Sequence, residues 1–437
     1  MKNIAVIGTG YVGLVSGAGI SDFGHNVVCT DIDENKIKRL QSGEIPIYEP
    51  GLQELVSRNV QASRLSFSSN VNKSIKEADV LFIAVGTPEG ENGASDLSAV
   101  LEVARAIGNN LNSYKVICTK STVPIGTGSK ISDIINKSSI NSIDFDYVSN
   151  PEFLREGSAV KDFLWPDRVI IGASSSRAFD IMKNVYRPLY INETPVIETT
   201  IETAELIKYA SNAFLSVKIS YMNEIANMCD EIGADVHVVS KAMGIDGRIS
   251  PKFLHPGPGF GGSCFPKDTK ALVSMAEELG TNLKVVESAI EANRLQKERM
   301  VEKLYTLLKN DVKDKTIAIL GLAFKAQTDD VRESPSVNMI SALKNDGAII
   351  KAFDPAANDN MKKIFEDLDT NTSWEETVKD SDCVIIMTEW NEFRGIDLSK
   401  LKELVKDPNL LDCRNILKID DLEKLGFNYD NVGRKKR

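Results

Sequence analysis

The chain has 437 residues, 42% of them hydrophobic and 26% charged, with a formal net charge of −10. That length predicts two or three domains with ordinary buried cores, and the acidic balance argues against broad nucleic-acid binding, which needs a basic footprint. Six cysteines without a CxxC pair and three scattered histidines argue against a zinc site, so no metal is expected. No run approaches the ~18 apolar residues of a membrane span. The sequence opens on a strand pattern rather than a leader peptide, and the expected location is a reducing cytoplasm.

Residues 3–7, Asn-Ile-Ala-Val-Ile, predict a buried parallel strand. Gly8-Thr9-Gly10-Tyr11-Val12-Gly13 follows and opens a small-residue helix to about Gly24. The next strand, 27–30, ends at Asp31, 18 residues beyond Gly13. GxGxxG between strand and helix, with an acid near that distance, is a dinucleotide-binding pattern. Its glycines bring backbone N–H groups and a helix N-terminus to the pyrophosphate, and the acid takes the ribose hydroxyls. A carboxylate there would repel a 2′-phosphate, so the cofactor expected is NAD rather than NADP.

Three more strands run into polar loops: 80–85 into Gly86-Thr87-Pro88, 116–119 into Lys120-Ser121-Thr122, and 147–149 into Asn150-Pro151-Glu152-Phe153-Leu154-Arg155-Glu156-Gly157. Each loop is expected at the carboxyl edge of a parallel sheet, facing one crevice. Glu152 and Glu156 there suit the orienting of water or a sugar hydroxyl. The longest helical pattern covers 201–232, with Gly233 as its stop. It is long enough to bridge two domains, and Lys208 and Asn212, four apart, share a face. More helix is expected over 235–243 and from 268 to about 308. The apolar faces of this helical middle exceed what one connection needs, so a subunit interface is expected, most simply a homodimer.

Residues 257–268 read Gly-Pro-Gly-Phe-Gly-Gly-Ser-Cys-Phe-Pro-Lys-Asp. Pro266 suits a first helical turn, which puts Cys264 at a helix N-terminus beside Lys267. Dipole and ammonium both favour a thiolate. A second α/β unit opens at 315–320 and continues through Gly321-Leu322-Ala323-Phe324-Lys325, without the full GxGxxG. Its strands end at Asp354, at Thr388-Glu389-Trp390 and at Asp412-Cys413-Arg414-Asn415. The basic run Gly433–Arg437 reads as a solvated tail. The fold class is α/β: two Rossmann-like doubly wound parallel-sheet domains joined by a central all-helical region with one long helix. The expected bounds are 1–197, 198–308 and 309–437.

Together GTGYVGL (8–14), PIYEPGL (46–52), VGTP (85–88), STVPIGT (121–127), NPEFLREG (150–157), ELIKYASNAF (205–214), GPGFGGSCFPKD (257–268), GLAFKAQTDDVRESP (321–335) and DCRN (412–415) resemble the UDP-glucose 6-dehydrogenases, within the wider nucleotide-sugar dehydrogenases. The resemblance runs from the first strand to about Asn415. FGGSCFPKD (260–268) resembles this branch more than relatives acting on 2-acetamido sugars or GDP-mannose, which are the alternative. A regulatory NAD-binding protein without catalysis would have damaged the nucleophile or its helpers, and Cys264, Lys208, Asn212 and Asp268 are all present. A two-electron hydroxyacid dehydrogenase would not need the cysteine.

The resemblance implies a four-electron, NAD-dependent oxidation of UDP-glucose to UDP-glucuronate through a thiohemiacetal and a thioester on Cys264. It implies oxyanion stabilisation by Lys208 and Asn212, and water handling by Asp268 and Glu152 with Thr122. For NAD it implies contacts from Gly8, Gly10, Tyr11, Val12, Gly13, Asp31, Lys36, Thr87, Thr122, Glu156, Lys267 and Arg332. For the sugar nucleotide it implies Glu152, Phe153, Leu154, Arg155, Glu156, Lys208, Asn212, Arg248 reaching across a dimer interface, the run Phe253, Leu254, His255, Pro256, Gly257, then Gly261, Lys325 and Arg414. Many relatives carry tyrosine where Phe253 stands.

Overall fold

The fold is taken from a computed structural model, which describes residues 1–90, 93–140 and 142–434. The last residues of the basic tail, 435–437, lie outside the described residues. The chain forms two compact units, Met1–Ser211 with Ser274–Gly280, and Asn212–Val273 with Thr281 onward.

The first unit holds β1 (Asn3–Ile7), β2 (Asn26–Thr30), β3 (Leu65–Ser68), β4 (Val80–Ile83), β5 (Lys115–Thr119), β6 (Phe145–Ser149), β7 (Val169–Ala173) and β8 (Val196–Thr199). They make one sheet in the order β3-β2-β1-β4-β5-β6-β7-β8. Ile4 pairs with Val27 on one side and Val80 on the other, both parallel. Among the described residues, β6 and β7 form the one antiparallel ladder of this sheet, with Val148 opposite Ala173, so the parallel expectation fails there. Both faces are covered: Ile4 and Val6 enter one core, Ala5 and Ile7 the other. This double burial is why the strands read as unbroken apolar runs. Because the strand order reverses at β1, loops after β1 and β4 diverge and leave a crevice at the carboxyl edge.

The second unit holds β9 (Thr316–Leu320), β10 (Ile349–Phe353), β11 (Asp369–Thr370), β12 (Cys383–Ile386), β13 (Asn409–Asp412) and β14 (Asn428–Asn431). Their order, β11-β10-β9-β12-β13-β14, repeats the plan of the first unit, with every ladder parallel. Ile317 and Ile319 pack on one face, Ala318 and Leu320 on the other.

The helix Ile201–Ile232 has 32 residues, and Gly233 ends it in the left-handed region at φ 72°. The division between units falls within this helix, between Ser211 and Asn212. The helix expected from 268 to 308 is two, Phe265–Glu278 and Lys284–Leu307, broken at Gly280, which takes φ 71°. Among the described residues no helix is long and apolar enough to cross a membrane.

Candidate active site

In the first unit the turn after β1 is built around Gly8. Its φ is 102°, and a Cβ there would lie 2.5 Å from the Ala84 carbonyl oxygen, so only glycine lets the turn close against the end of β4. A Cβ on Gly13 would lie 1.9 Å from the Gly8 carbonyl oxygen, whereas one on Gly10 would meet nothing within 4 Å. Gly10 is the N-cap of the helix Tyr11–Asp22 and brings no side chain to cap it. First-turn N–H groups of such a helix are orphan donors with a favourable dipole.

Asp31, at the end of β2, accepts from the Thr9 N–H and the Thr9 hydroxyl, both at 2.8 Å, and from the Asp33 N–H at 3.1 Å. Lys36 Nζ lies 3.4 Å away. Burial opposes its ionisation, but those donors and Lys36 outweigh it and hold the carboxyl below its usual range. A cavity of about 790 Å³ is lined by Gly8, Gly10, Asp31, Ile32, Lys36 and Gly86, among others. An open glycine, an uncapped helix start and an ionised carboxylate beside one cavity fit a dinucleotide.

The same unit ties its loops together. The Thr87 hydroxyl donates to the Thr122 carbonyl at 2.9 Å. The Tyr11 hydroxyl donates to the Glu49 carboxylate, which also accepts from the N–H groups of Gly157 and Ala159 at 2.7 Å. Burial, then the hydrogen bond to Glu49, push the Tyr11 phenol far above its usual value, and the Glu49 and Glu156 charges add to that. Val12 follows, half-buried, on the same turn. Glu49 is not among the expected site residues, although the motif at 46–52 contains it.

Lys208 donates to the Glu152 carboxylate at 2.9 Å, with the two side chains 4% and 5% exposed. The other Glu152 oxygen accepts from the Leu154 N–H. The Lys208 ammonium also lies 5.4 Å from the Phe153 ring centroid, and Arg168 stacks on that ring at 3.6 Å. Arg155 is turned to Asp162, at 2.6 Å. A buried pair of this kind is costly to break, because the survivor is left as an uncompensated charge.

In the second unit Cys264 immediately precedes the helix Phe265–Glu278. Its carbonyl accepts the Asp268 N–H at 2.8 Å, and Ser263 Oγ lies 3.6 Å from its sulfur. All six cysteines are free; Cys264 is half-buried and the others buried. Asp268, 1% exposed, accepts from Asn212 Nδ2 and Lys267 Nζ, each at 2.7 Å. Three expected site residues therefore meet one turn beyond the thiol.

Polar side chains on two helices clasp the preceding loop. Asn223 accepts the Gly257 N–H at 2.8 Å, and Gln296 donates to the Gly257 carbonyl at 2.8 Å. Asn293 brackets Phe260, accepting its N–H at 2.7 Å and donating to its carbonyl at 3.0 Å. Apolar spacing does not reveal these residues; their sequence signal is amide side chains on otherwise apolar helix faces. A Cβ on Gly261 would sit 2.3 Å from the Glu333 carbonyl oxygen, so the loop passes hard against 332–333, and the Gly262 N–H donates to the Arg332 carbonyl at 2.8 Å. Arg332 itself pairs with Asp330 at 2.8 Å.

Arg414 donates to the carbonyls of Met387 and Phe324 at 2.8 and 2.6 Å, and its guanidinium would be 3.4 Å from a Cβ on Gly257. Lys325 Nζ lies 5.3 Å from the Phe324 ring. Phe253 takes φ 63°, and its ring lies 6.2 Å from that of Phe265, next to the thiol. Leu254, Pro256 and Gly257 are buried and His255 is exposed. Arg248 stands apart from this group in its bonding, 89% exposed and paired with Asp246 at 2.6 Å.

A doubly wound sheet with a dinucleotide cradle, in a chain that also carries a thiol at a helix start beside a buried Asp-Asn pair and its lysine partner, defines a nucleotide-dependent dehydrogenase with a nucleophile. The chain belongs to the UDP-glucose/GDP-mannose dehydrogenase family: the NAD binding domain matches residues 2–190, the central domain 202–295 and the UDP binding domain 318–419. It is 48% identical over 434 residues to the UDP-glucose 6-dehydrogenase of Rhizobium meliloti (strain 1021), covering 99% of both chains. It is 47% identical to UDP-glucose 6-dehydrogenase TuaD of Bacillus subtilis (strain 168), covering 99% of this chain and 94% of that one. Among solved structures it is similar to a UDP-glucose dehydrogenase from the hyperthermophilic archaeon Pyrobaculum islandicum, at 34% identity and a TM-score of 0.93, with 100% and 98% of the two chains covered. The chain is thus an NAD-dependent dehydrogenase with a domain for a UDP-linked substrate.

Proposed function

We propose that the chain oxidises the C6 alcohol of UDP-glucose to a carboxylate, giving UDP-glucuronate in two successive two-electron steps. The observation that carries this reading is Cys264 at the start of its helix, one turn from buried Asp268 with its partners Asn212 and Lys267. Bound NAD supplies the hydride acceptor for each step. In the first, C6 loses a hydride and its hydroxyl a proton, leaving an aldehyde. The Lys208 ammonium stabilises the alkoxide that forms on the way, as a preorganised charge in a buried site does, and Glu152 holds that ammonium in place.

In the second step the Cys264 sulfur bonds to the aldehyde carbon and the oxygen takes a proton, giving a thiohemiacetal. Loss of hydride and of the hydroxyl proton then leaves a thioester. Water adds to the carbonyl, the C–S bond breaks, and the thiol is restored with the carboxylate released. Asn212 shares in stabilising the oxyanion, and Asp268, Glu152 and Thr122 position the water and take its proton.

On this reading residues 1–197 hold the dinucleotide, 198–308 supply the thiol and its helpers, and 309–437 take the nucleotide of the sugar through Lys325 and Arg414. The enzyme works as a homodimer. Support comes from Phe214, Tyr221, Met228 and Ile232, which are spaced along one face of the long helix and are 48–65% exposed, an apolar stripe of the kind that a second copy covers. Arg248, exposed beyond Asp246, is the residue suited to reach a partner. Six free cysteines suit a reducing cytoplasm.

The test is NADH release with UDP-glucose, UDP-N-acetylglucosamine, UDP-N-acetylmannosamine and GDP-mannose. Two NADH per UDP-glucose, and little with the others, is expected; a stoichiometry of one refutes the four-electron assignment. Cys264→Ser should slow turnover by orders of magnitude with UDP-glucose binding nearly intact. Near-normal NADH production by that variant refutes the covalent route.

A further inference from the structure

Behind the Glu152–Lys208 pair, within the first unit, lies a second buried lysine that the reaction above does not use. Lys120 follows β5, where its N–H donates to the Ile83 carbonyl at 2.9 Å, and it is 5% exposed. Its ammonium donates to Asn150 Oδ1 at 3.1 Å and to the Tyr186 hydroxyl oxygen at 3.3 Å, and sits 5.7 Å from the Tyr186 ring centroid. Both ends of the Asn150 amide are engaged: its oxygen also accepts from the Tyr186 hydroxyl at 2.6 Å, and its nitrogen donates to the Ile170 carbonyl at 2.6 Å. Neither hydrogen-bond partner of the ammonium carries a charge. Asn150 begins the loop that carries Glu152 two residues later.

A cation held in a low-dielectric interior acts beyond its contacts. Burial drives the Lys120 ammonium down to about 8; the Glu152 carboxylate pulls it back up, and the Lys208 ammonium pushes it further down. With Lys120 protonated, two ammonium groups face one carboxylate, and the cluster keeps a surplus positive charge.

We propose that Lys120 is a positioning residue for the oxidation: through Asn150 it fixes the loop that presents Glu152, and its charge gives the cluster of Lys120, Glu152 and Lys208 the surplus positive charge that receives an oxyanion. The inference rests on the roles given to Lys208 and Glu152 above. Its first test needs no substrate. In the full-length enzyme labelled with ¹³Cε-lysine, the Lys120 resonance, assigned with Lys120→Arg and Tyr186→Phe, is expected to titrate near 8. Glu152→Gln should lower that midpoint by about half a unit or more and Lys208→Met should raise it. A midpoint indifferent to both changes overturns the proposal, even if UDP-glucose oxidation stands.

The second test is kinetic. Lys120→Met should cut kcat by about tenfold with KM changed less than about threefold, and move the acid limb of the pH profile upward, since the site has lost a neighbouring cation. Lys120→Arg should recover part of kcat. Tyr186→Phe keeps the ring and its packing but removes a hydroxyl that accepts from the ammonium. It should lower the Lys120 midpoint and shift the pH profile in a folded protein, which covers the case in which Lys120→Met does not fold. A wild-type pH profile in both Lys120→Met and Tyr186→Phe overturns the inference, whereas failure to oxidise any sugar nucleotide overturns the reaction and leaves the titration to decide the coupling.

Discussion

The two sheets share one plan, yet the turns after their first strands do opposite things. Gly8 and Gly321 take φ 102° and 100°, and a Cβ on Gly321 would meet Thr388 Cβ at 2.4 Å, as one on Gly8 would meet Ala84. Each second strand ends in an aspartate that accepts N–H groups from that turn: Asp31 from Thr9, Asp354 from Leu322 and Ala323 at 2.8 and 3.1 Å. There the likeness ends. In the first unit a helix starts at Tyr11, two residues after Thr9. In the second, the chain loops through Lys325 and Arg332 before a helix begins at Pro335, capped by Ser334. Asp31 keeps 14% of its side chain exposed; Asp354 is 2% exposed and also accepts from Trp390 Nε1, Ala356 and Ala357. One acid is left open to a ligand and the other is consumed by the fold. The same scaffold thus makes a dinucleotide cradle in one place and a rigid base for a loop in the other.

The largest effect should come from breaking the consumed acid. Asp354→Ala orphans five N–H donors at once, four of them on buried residues. Each such loss costs about 1–3 kcal/mol and the losses are not additive, so a destabilisation on the order of 4 kcal/mol or more is expected in thermal or urea unfolding. If the variant melts within about 2 °C of the parent, Asp354 is not structural in this sense and the contrast with Asp31 collapses.

How much of this contrast shows in the sequence follows from locality. The first turn, Asp31, the long helix and the cysteine turn are written in short contiguous patterns, because glycines, caps and apolar spacing act between near neighbours. Asp354 has the same local signature as Asp31; only burial beneath Trp390, 36 residues on, separates their fates. The clasp of Gly257 by Asn223 and the bond from Tyr11 to Glu49 are likewise tertiary. β8 and β14 are hard to read in the sequence for a different reason. β8 is largely exposed at a sheet edge, and β14, Asn-Tyr-Asp-Asn, carries polar residues that strands usually avoid. The antiparallel entry of β7 has no sequence mark at all.

A second helix start in the first unit sharpens the contrast, because it is closed by a side chain rather than left for a ligand. Glu205 places one carboxylate oxygen 2.7 Å from the Gly126 nitrogen and the other 2.9 Å from that of Gly128, capping the helix Thr127–Ser138. Burial raises its carboxyl to about 7, against the pull of those two N–H groups. A carboxyl raised on folding binds its proton more tightly in the native state. Between the usual value of 4.5 and about 7 the folded chain therefore holds more protons than the unfolded one, and stability falls as pH rises through that window. The span corresponds to about 3 kcal/mol. Glu205→Gln removes the titration but turns a donor toward one glycine N–H, so it should cost about 1–2 kcal/mol at pH 5 and flatten the slope. Parallel stability–pH curves for parent and variant between pH 4.5 and 7 would show that Glu205 is not the source.

The smallest effect in free energy belongs to the open acid. Asp31→Asn keeps the shape and an acceptor for the Thr9 donors, so stability should change by less than about 1 kcal/mol. The carboxylate that repels a 2′-phosphate is gone, and one acceptor for ribose hydroxyls has become a donor. KM for NAD should rise about tenfold, which is about 1.4 kcal/mol, while kcat at saturating NAD changes less than about twofold, because Asp31 belongs to the binding cradle and not to the reacting carbon. Lys36, 3.4 Å from the carboxylate, is released by the same change and becomes available to a 2′-phosphate. NADP should therefore gain as NAD loses, and the ratio of kcat/KM values should move by more than either alone. If NAD affinity is unchanged in Asp31→Asn while stability drops by several kcal/mol, Asp31 is a second Asp354, and the two units differ less in use than in the length of the loop that follows their first turn.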